Sequence, residues 1–503
     1  MTNDLNRRDF LKASGLFAAG MALAACQPSA DVVEQTFPTL ASVPDSDSPP
    51  QTDEALLLHT LKRISFGVTP AMLTRAREIG LDAYIEEQLS PEKLDNTEVE
   101  RLVSNFETLN MTPQERFELE NFGQPIQEMI GATLLRQWRS PSQFYEVMVD
   151  FWTNHFNIFI AKNQCRVLKA DDDRDVIRPY ALGKFGDLLR ASAHSPAMLV
   201  YLDQATSTRR APNENYAREL LELHTVGVEG GYSHEDIVEL ARALTGWSVT
   251  GFRDKNQEPG LFTFRDRAHD DGQKQVLGMV VPAGGGQEDG EIILDMLAQH
   301  PMTARFISEK LVRRFVADDP PASLVEKLSQ VFLATEGDSR EMMRTLLHSD
   351  EFKASAGQKF KRPLEFFISS LRVTSAEIRR TPRALTTYLR QMGQMPFFWS
   401  PPTGYPDYAD WWTTTSGMLN RWNFALLLTA GEVPGVEMNL PALTADAATP
   451  QDVVDLLSIR FLGEKLPDNA RDILVDFAST SSLDANLPDI AGLILGSPHF
   501  QVR

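Results

Sequence analysis

Apolar residues recur at three- and four-residue spacing through most of the 503-residue chain from Glu54 onward. Leu57, Leu61 and Ile64 show this spacing at the start of the body. Because it is the period of one face of an α-helix, a chain made of such segments must bury helix against helix. The spacing returns in Leu182–Leu189, Phe306–Phe315, Leu324–Phe332, Met342–Leu347, Leu364–Leu371 and Val453–Ile459. We therefore predict a mainly α fold, with one large multi-helical domain or two packed helical subdomains.

Two stretches interrupt the helical pattern. Between Trp247 and Gly290, the alternation of Leu261–Phe264 is followed by a second apolar run, Gln275–Val281, and by three consecutive glycines. We interpret residues 247–290 as a small β-hairpin insert, which is a common place for site residues. The other stretch, Pro396–Asp410, is rich in proline, glycine and aromatic residues. Around the insert we expect a helical domain over residues 54–430, followed by a C-terminal helical extension over residues 431–503.

The amino terminus has the order of a secretory signal, in which charged residues precede the apolar run Ala13–Ala25 and then Cys26. Arg7 and Arg8, followed by the segment Phe10–Lys12, resemble a twin-arginine signal. A signal peptide over residues 1–25 is therefore predicted, and export of a folded protein with it.

The residues around the cleavage site predict a lipid anchor. Leu23-Ala24-Ala25-Cys26 resembles a lipobox, in which the cysteine becomes the lipidated first residue of the mature protein. An aspartate directly after the lipidated cysteine would favour retention in the inner membrane. This chain has Gln27 there, which favours the outer membrane. Residues 26–53 are rich in proline, serine and threonine, and we expect an extended tether that holds the body away from the lipid surface.

Charge and cysteine content exclude some classes of protein. Removing residues 1–25 takes away three basic and two acidic side chains, so the net charge goes from -20 to -21. An acidic body repels phosphate backbones, which argues against nucleic acid as a partner. With Cys26 lipidated, only Cys165 remains, so no disulfide can form within the chain. No later stretch reaches the roughly 18 apolar residues of a spanning helix, so membrane attachment is expected through the lipid alone.

The densest polar pattern is the segment Pro212–Thr225, which we predict to be one helix ending before Gly227. Glu214, Asn215, Arg218 and Glu222 fall within an arc of about 100° on that helix. Two interpretations stay open. The arc is either an exposed ladder of four-residue ion pairs, or the wall of a cleft in which Arg218 orients carboxylates for acid–base chemistry. His224 falls on the opposite, apolar side, where a core imidazole is the plainer explanation.

Two further constellations carry candidate site residues. In Asp150–Asn157, the side chains of Asp150, Asn154 and Asn157 share one face of a helix otherwise covered by aromatic residues, and they either join helices or line a pocket. In the insert, His269 and Asp270 are adjacent, and could ligate a divalent metal together with Glu219 or His155. The chain contains no His-Glu-x-x-His or paired-cysteine spacing, and no nucleophile elbow, phosphate loop or haem attachment motif.

Several of these segments resemble a bacterial family catalogued as domain of unknown function 1800. The resemblance rests on Phe151–Phe156, Ile177–Pro179, Pro196–Asp203, Asn213–Thr225, Ala243–Trp247, His269-Asp270, Lys361–Pro363 and Gly404–Asp407. It implies secretion, often by the twin-arginine route. It also implies a genetic neighbour from the family called domain of unknown function 1501, itself similar to alkaline-phosphatase and sulfatase folds. The family often has His where this chain has Thr153, which weakens a metal site built on two histidines there.

The sequence thus favours an exported, mainly helical, hydrolase-like enzyme of the cell envelope. The side chains expected to carry the chemistry are Glu214, Arg218, Glu219, Glu222, His155 and His224. Those expected to bind substrate are Asn154, Asn215, Trp152, Trp247, His269, Asp270 and Tyr405. An acidic cleft with aromatic residues suits neutral or cationic glycan or peptide material. The alternatives are an envelope lipoprotein that docks the phosphatase-like neighbour through Pro396–Trp412, and a metal or redox protein loaded before export, with His155, His269 and Asp270 as ligands.

Overall fold

The computed structural model describes residues 53–251, 258–378, 383–480 and 482–503. It is 62% helical and 5% strand, which confirms the prediction of a mainly α fold. The residues predicted for export and lipidation, Arg7, Arg8 and Cys26, lie outside the described residues, as does the tether up to residue 52. None of the described helices is both long and apolar enough to span a bilayer.

The chain forms two compact units. The first, here called the terminal unit, contains the described residues up to Arg75 together with Lys353–Gln394 and Tyr408–Arg503. The second, the central unit, contains Ala76–Phe352 and Met395–Asp407.

Short helices with local caps build the central unit. Ser233, for example, accepts from the N–H of Asp236, whose carboxylate accepts from the N–H of Ser233 in return, so this capping box fixes the start of the helix His234–Ala243. The α-helices of this unit are Leu81–Gln88, Thr97–Val103, Pro113–Glu118, Gln124–Arg139, Gln143–His155, Cys165–Asp171, Arg178–Tyr180, Phe185–His194, Pro196–Tyr201, Glu214–Glu219, His234–Ala243, Glu288–Ala298, Pro301–Phe315, Ala322–Thr335, Ser339–Leu347 and Asp350–Lys353, the last ending in the terminal unit. Two π-helical turns, Asp172–Ile177 and Leu220–His224, extend the α-helices that precede them.

The insert over residues 247–290 contains two antiparallel ribbons. Strand Trp247–Val249 pairs with Phe262–Phe264, and strand Lys274–Val276 pairs with Met279–Val281. Leu277 and Gly278 form the tight turn of the second ribbon, both at positive φ (48° and 80°), as a two-residue hairpin turn requires. The predicted β insert is therefore present, with one ribbon more than expected.

Helices also dominate the terminal unit. Thr415–Thr429 lies along Leu483–Gly496, and Gly492 permits their close approach, because a Cβ there would come within 2.8 Å of Leu426 and Thr429 side-chain atoms. A two-residue ribbon pairs Glu377–Ile378 with Val436–Glu437. The helices are Asp53–Arg63, Pro70–Ile79, which continues into the central unit, Pro363–Val373, Arg383–Gln391, Ala409–Trp412, Thr415–Thr429, Leu440–Leu443, Pro450–Leu462, Asp468–Ala478, Leu483–Gly496 and Pro498–Gln501.

The aromatic core of the central unit fixes the end of the helix Gln143–His155. Trp152 is 1% exposed and lies between Phe151 and Phe185, at ring-centroid distances of 4.8 and 5.9 Å. Its indole N–H donates to the carbonyl of Ala181 at 2.9 Å, so the buried donor is satisfied. Burying a side chain of this size stabilises the fold by about 3 kcal/mol. The next helical turn, which carries His155, is held in place by this packing.

Candidate functional site

The predicted single helix over residues 213–225 is an α-helix, Glu214–Glu219, that widens into the π-helical turn Leu220–His224. Asn213 caps its start, since its side-chain oxygen accepts from the N–H of Asn215 at 2.9 Å. At the other end, Gly227 takes a φ of 82° and donates its N–H to the carbonyl of Leu221 at 3.0 Å. Such π turns are rare in proteins, and a large share of those known lie at functional sites.

The polar side chains of this helix divide into an exposed and a half-buried group. Glu214 and Asn215 are exposed, as the ladder interpretation expects. Further along, Arg218 Nη1 lies 3.6 Å from Glu222 Oε1, and that carboxylate is 25% exposed. Burial, and secondly the neighbouring Glu222 carboxylate, raises the pKa of Glu219. The two halves of the arc therefore differ, and only the second has the partial burial that an acid–base group needs.

The centre of the site is His155, which is 1% exposed and engaged at both ring nitrogens. Its Nε2 lies 3.1 Å from the carbonyl oxygen of His224, and the ammonium Nζ of Lys310 lies 2.9 Å from its Nδ1. A carbonyl can only accept, so Nε2 carries the proton and Nδ1 presents its lone pair to Lys310. The π turn thus sets the tautomer of His155 through the carbonyl of His224.

Burial shifts the ionisation of all three groups of this centre toward the neutral forms. It lowers the pKa of His155 well below the ordinary value, with the Lys310 ammonium as the second cause. The same two causes lower the pKa of His224 to about 3. Burial, and secondly Arg313, lowers the pKa of Lys310 to about 8, while the Asp407 carboxylate opposes that shift. Near neutral pH both imidazoles are neutral, and Lys310 exists in both protonation states.

Asn154 holds the Met395–Asp407 loop against this centre by two reciprocal hydrogen bonds. Its Nδ2 donates to the carbonyl of Tyr405 at 2.9 Å, and the N–H of Tyr405 donates to its Oδ1 at 2.7 Å. Gly404 makes the approach possible, because a Cβ there would lie 2.2 Å from the Asn154 carbonyl oxygen. The loop also carries Asp407, the carboxylate that acts on Lys310.

A second pair of residues holds the earlier part of the same loop. Asn157 Nδ2 donates to the carbonyls of Trp399 and Pro401, at 3.0 and 2.8 Å, and the hydroxyl of Tyr201 donates to the backbone carbonyl of Ser400 at 2.7 Å. Both asparagines thus hold a loop in place, whereas the sequence had left open that they join helices or line a pocket. Tyr405, expected to bind substrate, donates its hydroxyl to the Met395 carbonyl at 2.7 Å and remains half-buried.

His269 and Asp270 belong to a different network from His155. The ring of His269 is fully buried, with Nδ1 2.8 Å from the Thr245 carbonyl oxygen and Nε2 3.1 Å from Asp289 Oδ2. Lys274 and Asp289 form a fully buried ion pair beside it. Both imidazole nitrogens are thus occupied within the fold, which is not the metal ligation expected from the sequence.

Asp270 is held by a two-pronged ion pair. Its carboxylate accepts from Arg242 Nε and Nη2 at 3.0 and 3.1 Å. Hydrogen bonding from Arg242 lowers the pKa of Asp270 to about 2. The pair ties the insert to the helix His234–Ala243, so the expectation that these residues close a site is replaced by an anchoring role.

The two tryptophans expected at a substrate surface lie in the core. Trp247 is fully buried, stacks on His194 at 4.7 Å between centroids, and meets the edge of Phe262 at 5.5 Å. Trp152 is buried as described above. Aromatic side chains were expected to suit glycan or peptide material, but their size and aromaticity equally favour a core position.

Within the described ranges, no group of three or more histidine, cysteine or carboxylate side chains is placed to hold a metal ion. Cys165, the cysteine of the body, is buried, and burial raises its pKa to about 12, which keeps it as an unreactive thiol.

Sequence reasoning missed Lys310. Its surroundings, Phe306–Arg314, have the periodicity of an ordinary amphipathic helix, in which a lysine is expected to be solvated. The signal available was the four-residue spacing of Phe306, Lys310 and Arg314, which places two cations on an aromatic stripe. Also missed was a cleft of about 740 Å³ in the central unit, in which Arg178 forms a two-pronged pair with Glu146 at 3.1 and 2.9 Å.

Comparison with known proteins gives the family context of this geometry. The sequence pattern of the family described as "Protein of unknown function (DUF1800)" matches residues 59–502. That of the "TAT (twin-arginine translocation) pathway signal sequence" matches residues 4–24, which supports the predicted export. No curated protein and no solved structure matches the chain.

Proposed function

The chain belongs to the DUF1800 family of proteins of unknown function, and we propose that it is an exported, lipid-anchored enzyme of the cell envelope with hydrolase-like chemistry. The observation that carries the proposal is the contact of 2.9 Å between Lys310 Nζ and His155 Nδ1. An amine that is partly neutral near pH 8 is a competent proton acceptor, and such groups concentrate at functional sites.

In the proposed mechanism, neutral Lys310 takes a proton from the attacking water or hydroxyl group. His155 orients the amine, because its Nδ1 lone pair accepts one N–H of Lys310 and leaves the nitrogen lone pair free to point elsewhere. Asp407 stabilises the ammonium that forms. Glu219, whose pKa is raised, is the candidate proton donor to the leaving group.

The substrate class follows from charge. With a mature net charge of -21, the body attracts neutral or cationic material more readily than polyanions. Neutral or cationic glycan or peptide of the envelope is therefore the proposed substrate.

An activity screen on envelope polymers tests the enzyme proposal. Lys310→Met removes the amine while retaining length, and we expect a loss of about 100-fold or more in rate, as for removal of a general base. Lys327→Met, at an exposed lysine, is the matched control and retains full rate. Glu219→Gln should likewise lower the rate, whereas Glu235→Gln, at an exposed glutamate, should retain it. Equal activity of Lys310→Met and Lys327→Met on every hydrolysed polymer would refute this assignment.

Lipid anchoring has its own test. If Cys26 carries the lipid, Cys26→Ser releases the protein into the soluble extracytoplasmic fraction, whereas Arg7→Lys with Arg8→Lys keeps it inside the cell. Outer-membrane preference is tested by separating the two membranes. Recovery of Cys26→Ser in the membrane at the wild-type level contradicts the anchor.

Docking of a partner is a second candidate function, favoured by the exposure of Tyr408 (47%) and Trp411 (54%). Aromatic residues of this exposure are typical of interface anchors. The proposed partner is the secreted phosphatase- or sulfatase-like neighbour. Co-purification from the native membrane should enrich it with the wild type, and Trp411→Ser should reduce its recovery; equal recovery with both rejects this candidate.

A further inference from the structure

A cavity of about 300 Å³ lies within the terminal unit, and it shares no lining residue with the candidate site described above. Its walls come from the segments 62–73, 361–373 and 443–463, together with Arg503. This volume is at the lower end of the range found for small-molecule sites. The lining is mainly apolar, with Leu73, Val373, Leu443 and Leu456 among its side chains.

The cavity wall contains more basic than acidic side chains. Four basic side chains line it, namely Lys62, Lys361, Arg460 and Arg503, against one carboxylate side chain, Glu365. That carboxylate is already neutralised, since Arg503 Nη2 lies 3.1 Å and Arg362 Nη2 lies 3.4 Å from its Oε1. Basic side chains therefore outnumber acidic ones in an apolar setting.

Lys361 is the basic side chain best placed to meet a ligand. Its Nζ lies 3.6 Å from the centroid of the Phe500 ring and makes no hydrogen bond to any residue the structure describes. By contrast, Lys62 contacts Glu464 at 3.3 Å, and Arg460 donates to the carbonyl of Val373 at 2.8 Å. Of these three basic groups, Lys361 is thus the one whose amine is not already engaged with a carboxylate or a carbonyl.

We propose that this cavity is a binding site for a small carboxylate with an apolar chain. The carboxylate pairs with the Lys361 ammonium, and the chain lies along Leu73, Val373 and Leu456. An uncharged chain would leave Lys361 without a partner, and a small inorganic anion would leave the apolar wall unfilled. The site is independent of the proposed enzyme centre, so neither proposal depends on the other.

A consequence is that binding should take up protons. Burial, and secondly the charge of Lys62, holds the pKa of Lys361 well below its ordinary value, while Glu365 opposes and Arg421 adds to that shift. A bound carboxylate favours the charged amine and so raises this pKa. Since the ligand then binds the protonated form more tightly, affinity should increase as the pH is lowered.

The test is isothermal titration calorimetry of the mature chain carrying Cys26→Ser with decanoate, below its micelle-forming concentration. We expect one saturable site, proton uptake that appears as a dependence of the heat on the buffer, and binding of decanol that is at least about tenfold weaker. Lys361→Met should weaken decanoate binding by roughly tenfold to a hundredfold, whereas Lys327→Met should not change it.

A second variant keeps the proposal falsifiable if Lys361→Met does not fold. Leu456→Trp fills the cavity from its wall and should abolish binding of both decanoate and decanol, with the thermal midpoint as the check on folding. Absence of decanoate binding overturns the proposal, as does equal affinity for decanoate and decanol. Unchanged binding by a folded Lys361→Met variant or a folded Leu456→Trp variant overturns it as well.

Discussion

Lys310 and His155 show how a residue acquires its chemistry from neighbours that are distant in sequence. The two residues are 155 positions apart, and a backbone carbonyl in a third segment sets the histidine tautomer. The amine is partly buried and faces an imidazole that cannot share its charge. Its ionisation is therefore a property of the fold and can be measured without knowing the substrate.

Competitive acylation of lysines as a function of pH, read by mass spectrometry, measures the ionisation of Lys310. We expect half-maximal reactivity near pH 8, with the exposed Lys327 in the same sample as internal reference. Asp407→Asn should move the midpoint to lower pH, because the carboxylate stabilises the ammonium. A midpoint above about 10, the range of an ordinary lysine, would contradict the assignment.

Asp270 allows a test of pH-dependent stability. Its folded-state pKa of about 2 lies below the unfolded value of about 3.9, so its contribution is complete above pH 4 and is lost as the pH falls toward 2. Asp270→Asn should cost on the order of 2 kcal/mol at pH 6, and the difference from wild type should shrink near pH 2. Thermal midpoints measure this, with exposed Asp271→Asn as the control that stays at wild-type stability.

At the scale of elements, the sequence predicted part of what local pattern determines. The helix stop at Gly227 was predicted from the glycine itself. The capping box of His234–Ala243 and the tight turn at Leu277 and Gly278 also depend on adjacent residues, although they were not predicted. The π turn Leu220–His224 cannot be recognised from adjacent residues, because its residues keep helical periodicity. Two hydrogen bonds accompany the wider turn. The Thr225 hydroxyl donates to the carbonyl of Leu220, and His155, which is distant in sequence, donates to the carbonyl of His224. Lys310 was missed for the same reason, because its segment has ordinary helical periodicity and its partner His155 is distant in sequence. The burial of His224, by contrast, was predicted correctly from its position on the apolar side of the helix.

The Met395–Asp407 loop gives a prediction at this scale. Gly404 and Gly431 both have a φ of 72°, but only at Gly404 would a Cβ meet another atom, the Asn154 carbonyl oxygen. Ala at either position costs about 1 kcal/mol of backbone strain. Gly404→Ala should cost a further 1–3 kcal/mol or so and increase hydrogen exchange in the loop. Equal thermal midpoints for the two variants would show that the loop does not need this contact.

At the scale of the whole molecule, the terminal unit is assembled from three separated stretches of chain. Arg63 Nε donates to the carbonyl of Arg503 at 3.0 Å, and the N–H of Lys361 donates to that of Gln501 at 2.7 Å. The last helix, Pro498–Gln501, therefore closes contacts with segments far back in the chain.

Removing residues 498–503 tests this closure. The truncation deletes Phe500, which is 1% exposed, along with both backbone contacts, and we expect it to destabilise the terminal unit by several kcal/mol. Hydrogen exchange should rise throughout Pro363–Val373 and Thr415–Thr429, while Gln143–His155 in the central unit keeps its protection. Wild-type protection in the first two helices would mean that the unit closes without its last residues.

The hydrogen bond between Arg63 and Arg503 also sets a minimum time before the fold can be completed during synthesis. The two residues are 440 positions apart, and at roughly 5–20 residues per second the ribosome needs about 20–90 s to make the distance between them. The amino-terminal address emerges at the beginning of that interval, long before the body it labels can be finished. Export of the folded protein therefore cannot begin at once, and every nascent chain carries its export signal on an incomplete protein for about 20–90 s.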